Sequence, residues 1–142
     1  MFGSSEGKRA VGSYFIYIAV FSIINTIIAL FNGDISFVIG LGATQIVDVL
    51  CQALSKSLGA TVIVIGVLIN LFIAAIFIFF GYMVRKASKW IYIIGMIIYG
   101  FDGLIFLIDS DFKSIIFHGI FLFFMIREFK AISDAGYYNV GM

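Results

Sequence analysis

The sequence predicts an all-α integral membrane protein: a four-helix transmembrane bundle with an additional outer amphipathic or re-entrant helix. Three observations carry this. Of 142 residues, 63% are hydrophobic and 12% are charged, with a mean hydropathy of +1.16. A soluble domain carries about 45–50% apolar and about 25% charged residues, and a globule this small has too little interior to hide such a surface from water. Formal charge is also absent between Arg9 and Asp34 and between Lys56 and Arg85, each run longer than the about 20 helical residues that cross a hydrocarbon core. Finally, there is no proline, so long helices meet no proline kink.

The same numbers exclude several classes. The formal net charge is +1, and no basic stripe fits a nucleic acid. One cysteine, Cys51, allows neither an intrachain disulfide nor a dithiol redox pair. No Cys/His group has zinc or iron–sulfur spacing, so no cofactor is expected.

The elements follow in chain order. Lys8 and Arg9 precede an apolar run, 11–31, too long for a signal h-region and without a clear small-x-small cleavage site. It reads as a retained first span that doubles as the insertion signal. Asn32-Gly33-Asp34 is a turn signal. The second span covers 59–84 and ends in the basic turn Arg85-Lys86-Ala87-Ser88-Lys89. The third covers 90–108, interrupted only by Asp102. Asp109-Ser110-Asp111 is the next polar turn. The fourth covers 112–130; its uncharged stretch from Ser114 to Ile126 is short, so Lys113 and Arg127 must snorkel.

The segment 35–57 is expected to lie in the outer interface or to form a shallow re-entrant hairpin. From Thr44 on it is amphipathic: Ile46, Val49, Leu50, Ala53 and Leu54 share one face, and Gln45, Asp48, Gln52 and Ser55 the other. Four spans with both termini cytoplasmic put Lys8, Arg9, Arg85, Lys86, Lys89, Arg127 and Lys130 inside and only Lys56 and Lys113 outside. A fifth span through 35–57 would move the Arg85–Lys89 cluster out, against the positive-inside rule. Tyr14, Tyr17, Tyr82, Trp90 and Tyr92 then form an inner aromatic belt.

Small residues recur at helical steps on the first three spans: Ala19, Ser22, Thr26, Ala29 and Gly33; Gly59, Gly66, Asn70, Ala74 and Gly81; Gly95 with Tyr99, Asp102, Gly103 and Phe106. Such stripes let helices approach closely in lipid and mark the inner faces of the bundle.

Four polar residues lie inside the spans: Asn25, Asn70, Asp102 and His118. Counting a rise of about 1.5 Å per residue puts Asp102, His118 and Asn25 at a common level, about 8–10 Å below the outer surface. Asn70 and Tyr99 come out deeper, about 15 Å in. Spans three and four are joined by a short turn, so Asp102 and His118 are expected to meet directly or through water. The cluster reads three ways: a satisfied polar clasp fixing helix register, a proton- or ion-coupled site at Asp102, or an axial His118 ligand to a tetrapyrrole metal. Other motifs are weak. Gly40-x-Gly42 lacks the context of a dinucleotide fingerprint, Ser22, Ser110 and Ser114 have no triad grammar, and Asp109-x-Asp111 makes a poor calcium site.

Gly40-Leu-Gly-Ala-Thr-Gln-Ile-Val-Asp48, Tyr99-Gly-Phe-Asp-Gly-Leu-Ile-Phe-Leu107, Phe117-His118 and Arg127-Glu-Phe-Lys-Ala131 together resemble a group of small, uncharacterised bacterial four-helix integral membrane proteins. The resemblance covers most of the chain from Ser22 to Ala131. It implies that the 40–48 segment and the Asp102/His118 pair belong to one recurring design, and it carries no activity. The expected role is a non-enzymatic subunit or scaffold of a bacterial inner-membrane complex or homo-oligomer, with the lipid bilayer and other membrane subunits as partners. The alternative is a small proton- or cation-coupled transporter centred on Asp102 and His118, with Asn25 beside them. An intramembrane enzyme ranks last, because no catalytic arrangement is evident.

Overall fold

The computed structural model describes residues 11–31, 40–86, 89–108 and 111–137. The turn at 32–34, the stretch 35–39, the pairs 87–88 and 109–110, and Lys8 and Arg9 lie outside them. The described residues form five helices and no strand: α1 Ser13–Leu30, α2 Gly42–Leu58, α3 Thr61–Arg85, α4 Lys89–Ile108 and α5 Phe112–Asp134. Three of them, α1, α3 and α4, are long and apolar enough to cross a membrane. The fifth, α5, carries Lys113 near its start and Arg127, Glu128 and Lys130 near its end, which dilute its apolar centre.

Cross-helix contacts set the directions. Gly12 lies on Gly81 and Thr26 beside Asn70, so α1 and α3 are antiparallel. Tyr92 reaches Met125 and Asp102 reaches His118, so α4 and α5 are antiparallel as well. The segment α2 runs parallel to α1: Leu41, Asp48 and Gln52 bond to Ser22, Thr26 and Ala29 in turn. It therefore starts well down the length of α1, beside Ser22, rather than at its end. From there it climbs to Gly59, whose φ of 85° permits the turn into α3.

Most of the expected inner stripes are buried, but Gly59 is exposed, Ala29 and Gly103 are half-buried, and Gly33 lies outside the described residues. Ala19, Ser22 and Thr26 of α1, Gly66, Asn70, Ala74 and Gly81 of α3, and Gly95, Tyr99 and Asp102 of α4 all face the interior. Around them, Phe15 packs on Phe77, Phe80 and Tyr92, and Tyr99 packs on Phe77 and His118. The close crossing of α1 and α3 needs glycine on both sides. Gly12 has φ 74°, and a Cβ there would stand 2.9 Å from the Gly81 carbonyl oxygen.

One end of the bundle is tied by side chains that the expected aromatic belt did not foresee. Tyr17, Tyr82 and Trp90 are exposed, as a belt requires, but Tyr92 is fully buried. Its hydroxyl donates to the Glu128 carboxylate and faces the Met125 carbonyl. A carboxylate inside the bundle pulls the phenol inward. Arg85 Nε donates to the Val11 carbonyl, and the Tyr137 hydroxyl donates to the Arg85 carbonyl. The start of α1, the end of α3 and the end of α5 thus meet at one end.

The two faces of α2 have different surroundings. Ile46, Val49, Leu50 and Leu54 are exposed, while Thr44 is buried and Asp48 turns inward to Thr26 and Asn70. Of the polar face, Gln45 and Asp48 turn toward protein and Gln52 is exposed, while the apolar face points outward.

At the start of α5, Asp111 caps the helix by accepting from the Ser114 backbone N–H and hydroxyl. These hydrogen bonds, the hydroxyl's first, hold its carboxyl below the ordinary carboxylate value. A depressed folded-state value stabilises above the unfolded one and is lost as pH falls through the folded one. We expect Asp111→Ala to cost about 1 kcal/mol in detergent-solubilised protein at neutral pH. The gap between parent and variant should close below about pH 4, as read by thermal unfolding against pH.

Candidate functional site

The first turn of α2 lies in the interior with no capping side chain of its own. Its N-cap, Leu41, has no group that can accept a hydrogen bond. The unmet donors at a helix start must find partners, above all where water is scarce. They find them on other helices. Leu41 N–H donates to Ser22 Oγ at 2.8 Å. Gly42 N–H donates to Asp102 Oδ2 at 2.7 Å and Ala43 N–H to Asp102 Oδ1 at 2.9 Å. Thr44 then turns its hydroxyl back onto the Leu41 carbonyl.

Asp102 therefore caps α2 from α4. Its charge sits at the positive end of the α2 dipole and receives two backbone N–H groups, the pattern by which helix starts hold anions. His118 of α5 completes the set, with Nε2 at 3.2 Å from Asp102 Oδ2. The imidazole stacks on Tyr99 with centroids 4.4 Å apart, and Gly103 leaves room for it, since a Cβ there would stand 3.1 Å from the ring. His118 Nδ1 lies 3.3 Å from the Ser114 carbonyl. Both ring nitrogens thus face oxygens that only accept. The Nε2–H tautomer serves Asp102 alone, and the doubly protonated ring serves both.

The structure brings Asp102 and His118 together and seats Tyr99 against them. Asn25 is buried on the other side of the same turn, where its amide nitrogen would be 2.3 Å from a Cβ on Gly40. Asn70 lies against the inward face of α2, where its amide reaches Thr26, the Thr44 carbonyl and Asp48. Gln45 buries its amide nitrogen with no partner, beside a groove of about 200 Å³ between α2 and α4.

Ser22, Thr26, Thr44 and the amides of Gly42 and Ala43 are the members that residue-by-residue reasoning missed. The signal for them was the polar face of 44–55, which needed an inward partner. Among the described residues no group of His, Cys, Asp and Glu is arranged to hold a metal ion. Chemically, the Asp102 centre is a filled anion cap: each oxygen is already engaged.

Replacing Asp102 by Asn should cost about 1.5–3 kcal/mol, because a carboxamide turns an N–H₂ group toward one backbone donor. Hydrogen exchange would localise the effect: the Gly42 and Ala43 amides should exchange at least about tenfold faster than in the parent. Unchanged protection of these two amides would mean that the cap does not hold α2.

Comparison with protein-family models, with curated proteins and with solved structures finds no match to the chain.

Proposed function

We propose that the chain is a non-enzymatic subunit or scaffold of a membrane complex or homo-oligomer, built as four spans with both termini on the cytoplasmic side of a bacterial inner membrane. In this reading α2 is a re-entrant helix that enters from the outer side. The observation that carries it is the use of the ionisable centre. Asp102 has its oxygens taken by Gly42, Ala43 and His118, and it is 7% exposed. A group so occupied serves architecture, since a substrate would have to displace the fold's own contacts.

Further support comes from the chain's ends and its outer faces. The start of α1 and the end of α5 meet beside Arg85, which suits an even number of crossings and groups the basic residues on one side. The apolar face of α2 points outward, as a lipid-embedded re-entrant helix requires. Between α4 and α5 runs a groove of about 140 Å³ along Gly100, Gly103 and Gly119. Small residues of this kind receive a neighbouring helix in lipid.

The second reading, a small proton- or cation-coupled transporter centred on Asp102 and His118, draws on their 3.2 Å approach in a buried setting. Flux in proteoliposomes separates the two. Equal flux for the parent and Asp102→Asn removes the transporter.

The subunit reading is tested by solubilising native membranes in mild detergent. The chain should migrate as a defined assembly, whereas a lone monodisperse monomer would overturn the proposal. A Cβ at Gly119 meets nothing within 4 Å, so Gly119→Leu should leave monomer stability within about 0.5 kcal/mol. The same substitution fills the groove and should weaken assembly about tenfold or more, read by crosslinking yield.

A further inference from the structure

The two ends of the bundle differ in charge. Where α3 and α5 finish and α1 and α4 begin, Lys86, Lys89, Arg127 and Lys130 are exposed, with Asp134 as the exposed carboxylate beside them. The other acid there, Glu128, turns inward and accepts from the Tyr92 hydroxyl and the Gly12 backbone N–H, with Arg85 nearby. Arg85 itself spends its Nε–H on the Val11 carbonyl. Among the described residues no carboxylate comes within ion-pair distance of the four exposed cations. At the opposite end the cations of the described residues are Lys56 and Lys113, and Lys113 sits beside Asp111.

These cations continue apolar stripes. On α5, Ile116, Ile120 and Phe123 are exposed at three- and four-residue steps, and Arg127 and Lys130 extend the same line. On α3, Phe72, Ile76, Phe79 and Tyr82 are exposed in the same way. Lys86 follows them, with its ammonium 4.6 Å from the centre of the Tyr82 ring. On α4, Lys89 adjoins Trp90, which is 73% exposed. Long cationic side chains lay their stems along apolar surface and carry the charge to the headgroup level. Trp and Tyr rings settle at that level too.

We infer that this end of the bundle binds anionic phospholipids, with Arg127 and Lys130 of α5 and Lys86 and Lys89 at the α3–α4 junction as the headgroup contacts. The partner has to join a negative head to an apolar tail, because positive charge and hydrocarbon surface lie on one stripe. A free anion matches the cations alone. An acidic protein segment leaves the aliphatic residues beneath them uncovered. The phosphodiester accepts paired N–H groups from a guanidinium and meets an ammonium as a point charge. No internal ion pair has to break for this, since the four cations have none. Basic groups beside a bilayer are drawn to anionic lipid, and the attraction falls off within a Debye length. The inference rests on the placement of the helices in a bilayer and is independent of the subunit role.

The test uses the purified full-length protein in a neutral detergent, titrated with phosphatidylglycerol or with phosphatidylcholine of the same acyl chains. The unfolding temperature should rise saturably with phosphatidylglycerol and stay level with phosphatidylcholine, and added salt should weaken the rise. The double variants Arg127→Gln/Lys130→Gln and Lys86→Gln/Lys89→Gln should unfold with the parent in detergent alone. Each should shift the half-saturation by phosphatidylglycerol about tenfold or more. Lys56→Gln/Lys113→Gln, at the opposite end, should respond as the parent does. The proposal is overturned by a parent that responds alike to the two lipids, by double variants that keep the full response, or by an equal loss in the opposite-end variant. A rise of the same size with glycerol 3-phosphate, or with a poly-glutamate peptide, overturns the lipid as partner. The two double variants are read separately, so if one fails to fold the other decides, together with the parent's response to the two lipids. A monodisperse monomer that keeps the phosphatidylglycerol response removes the subunit role and supports the lipid contact.

Discussion

A helix that begins inside an apolar bundle needs an acceptor for its first backbone N–H groups, and here the acceptor is the Asp102 carboxylate. The remaining architecture follows from that requirement. Asp102 is offered by α4, its donors belong to α2, and His118 comes from α5, so one side chain fixes three helices. Ser22 adds α1 through the Leu41 N–H. In water each of these donors could turn to solvent at little cost. Where solvent is excluded, an unmet backbone group costs several kcal/mol, on the order of the net stability of a small domain. A local cap on residue 41 would satisfy the helix start without committing α2 to any neighbour. A remote cap does both.

The orientation of α2 is set by its polar contacts with α1 and α3. Helical periodicity divides 44–55 into a polar and an apolar face, but periodicity alone is silent about which face meets protein. Beside water the apolar face packs inward. Beside lipid the apolar face is already at home, and the polar one must find partners, as Asp48 does with Thr26 and Asn70. The aliphatic residues Ile46, Val49, Leu50 and Leu54 turn outward.

Much of the fold was legible because lipid leaves few choices. Charge-free runs located α1 and α3. Small residues at helical steps located the buried faces, from Ala19 and Ser22 to Gly66 and Ala74. Asp102 and His118 could be paired because two helices joined by a short turn carry one ionisable residue each at a common level. The cap itself was not legible. Its donors are backbone amides, which every residue except proline possesses, and Gly42 and Ala43 differ from other small residues only in where the chain puts them. The contacts of Asn70 with Thr26 and Asp48 were not legible for a related reason: they depend on which face of α2 turns inward.

Asp102 and Asp48 divide the work of holding α2 along its length. Asp102 faces the positive end of a helix dipole, two backbone N–H groups and an imidazole nitrogen, all part of the chain. Asp48 faces a hydroxyl and an amide, which orient dipoles toward it but carry no net charge, and the amide at its side serves more oxygens than it has hydrogens. The same helix is thus pinned at its start by a complete set of partners and held at its middle by an incomplete one.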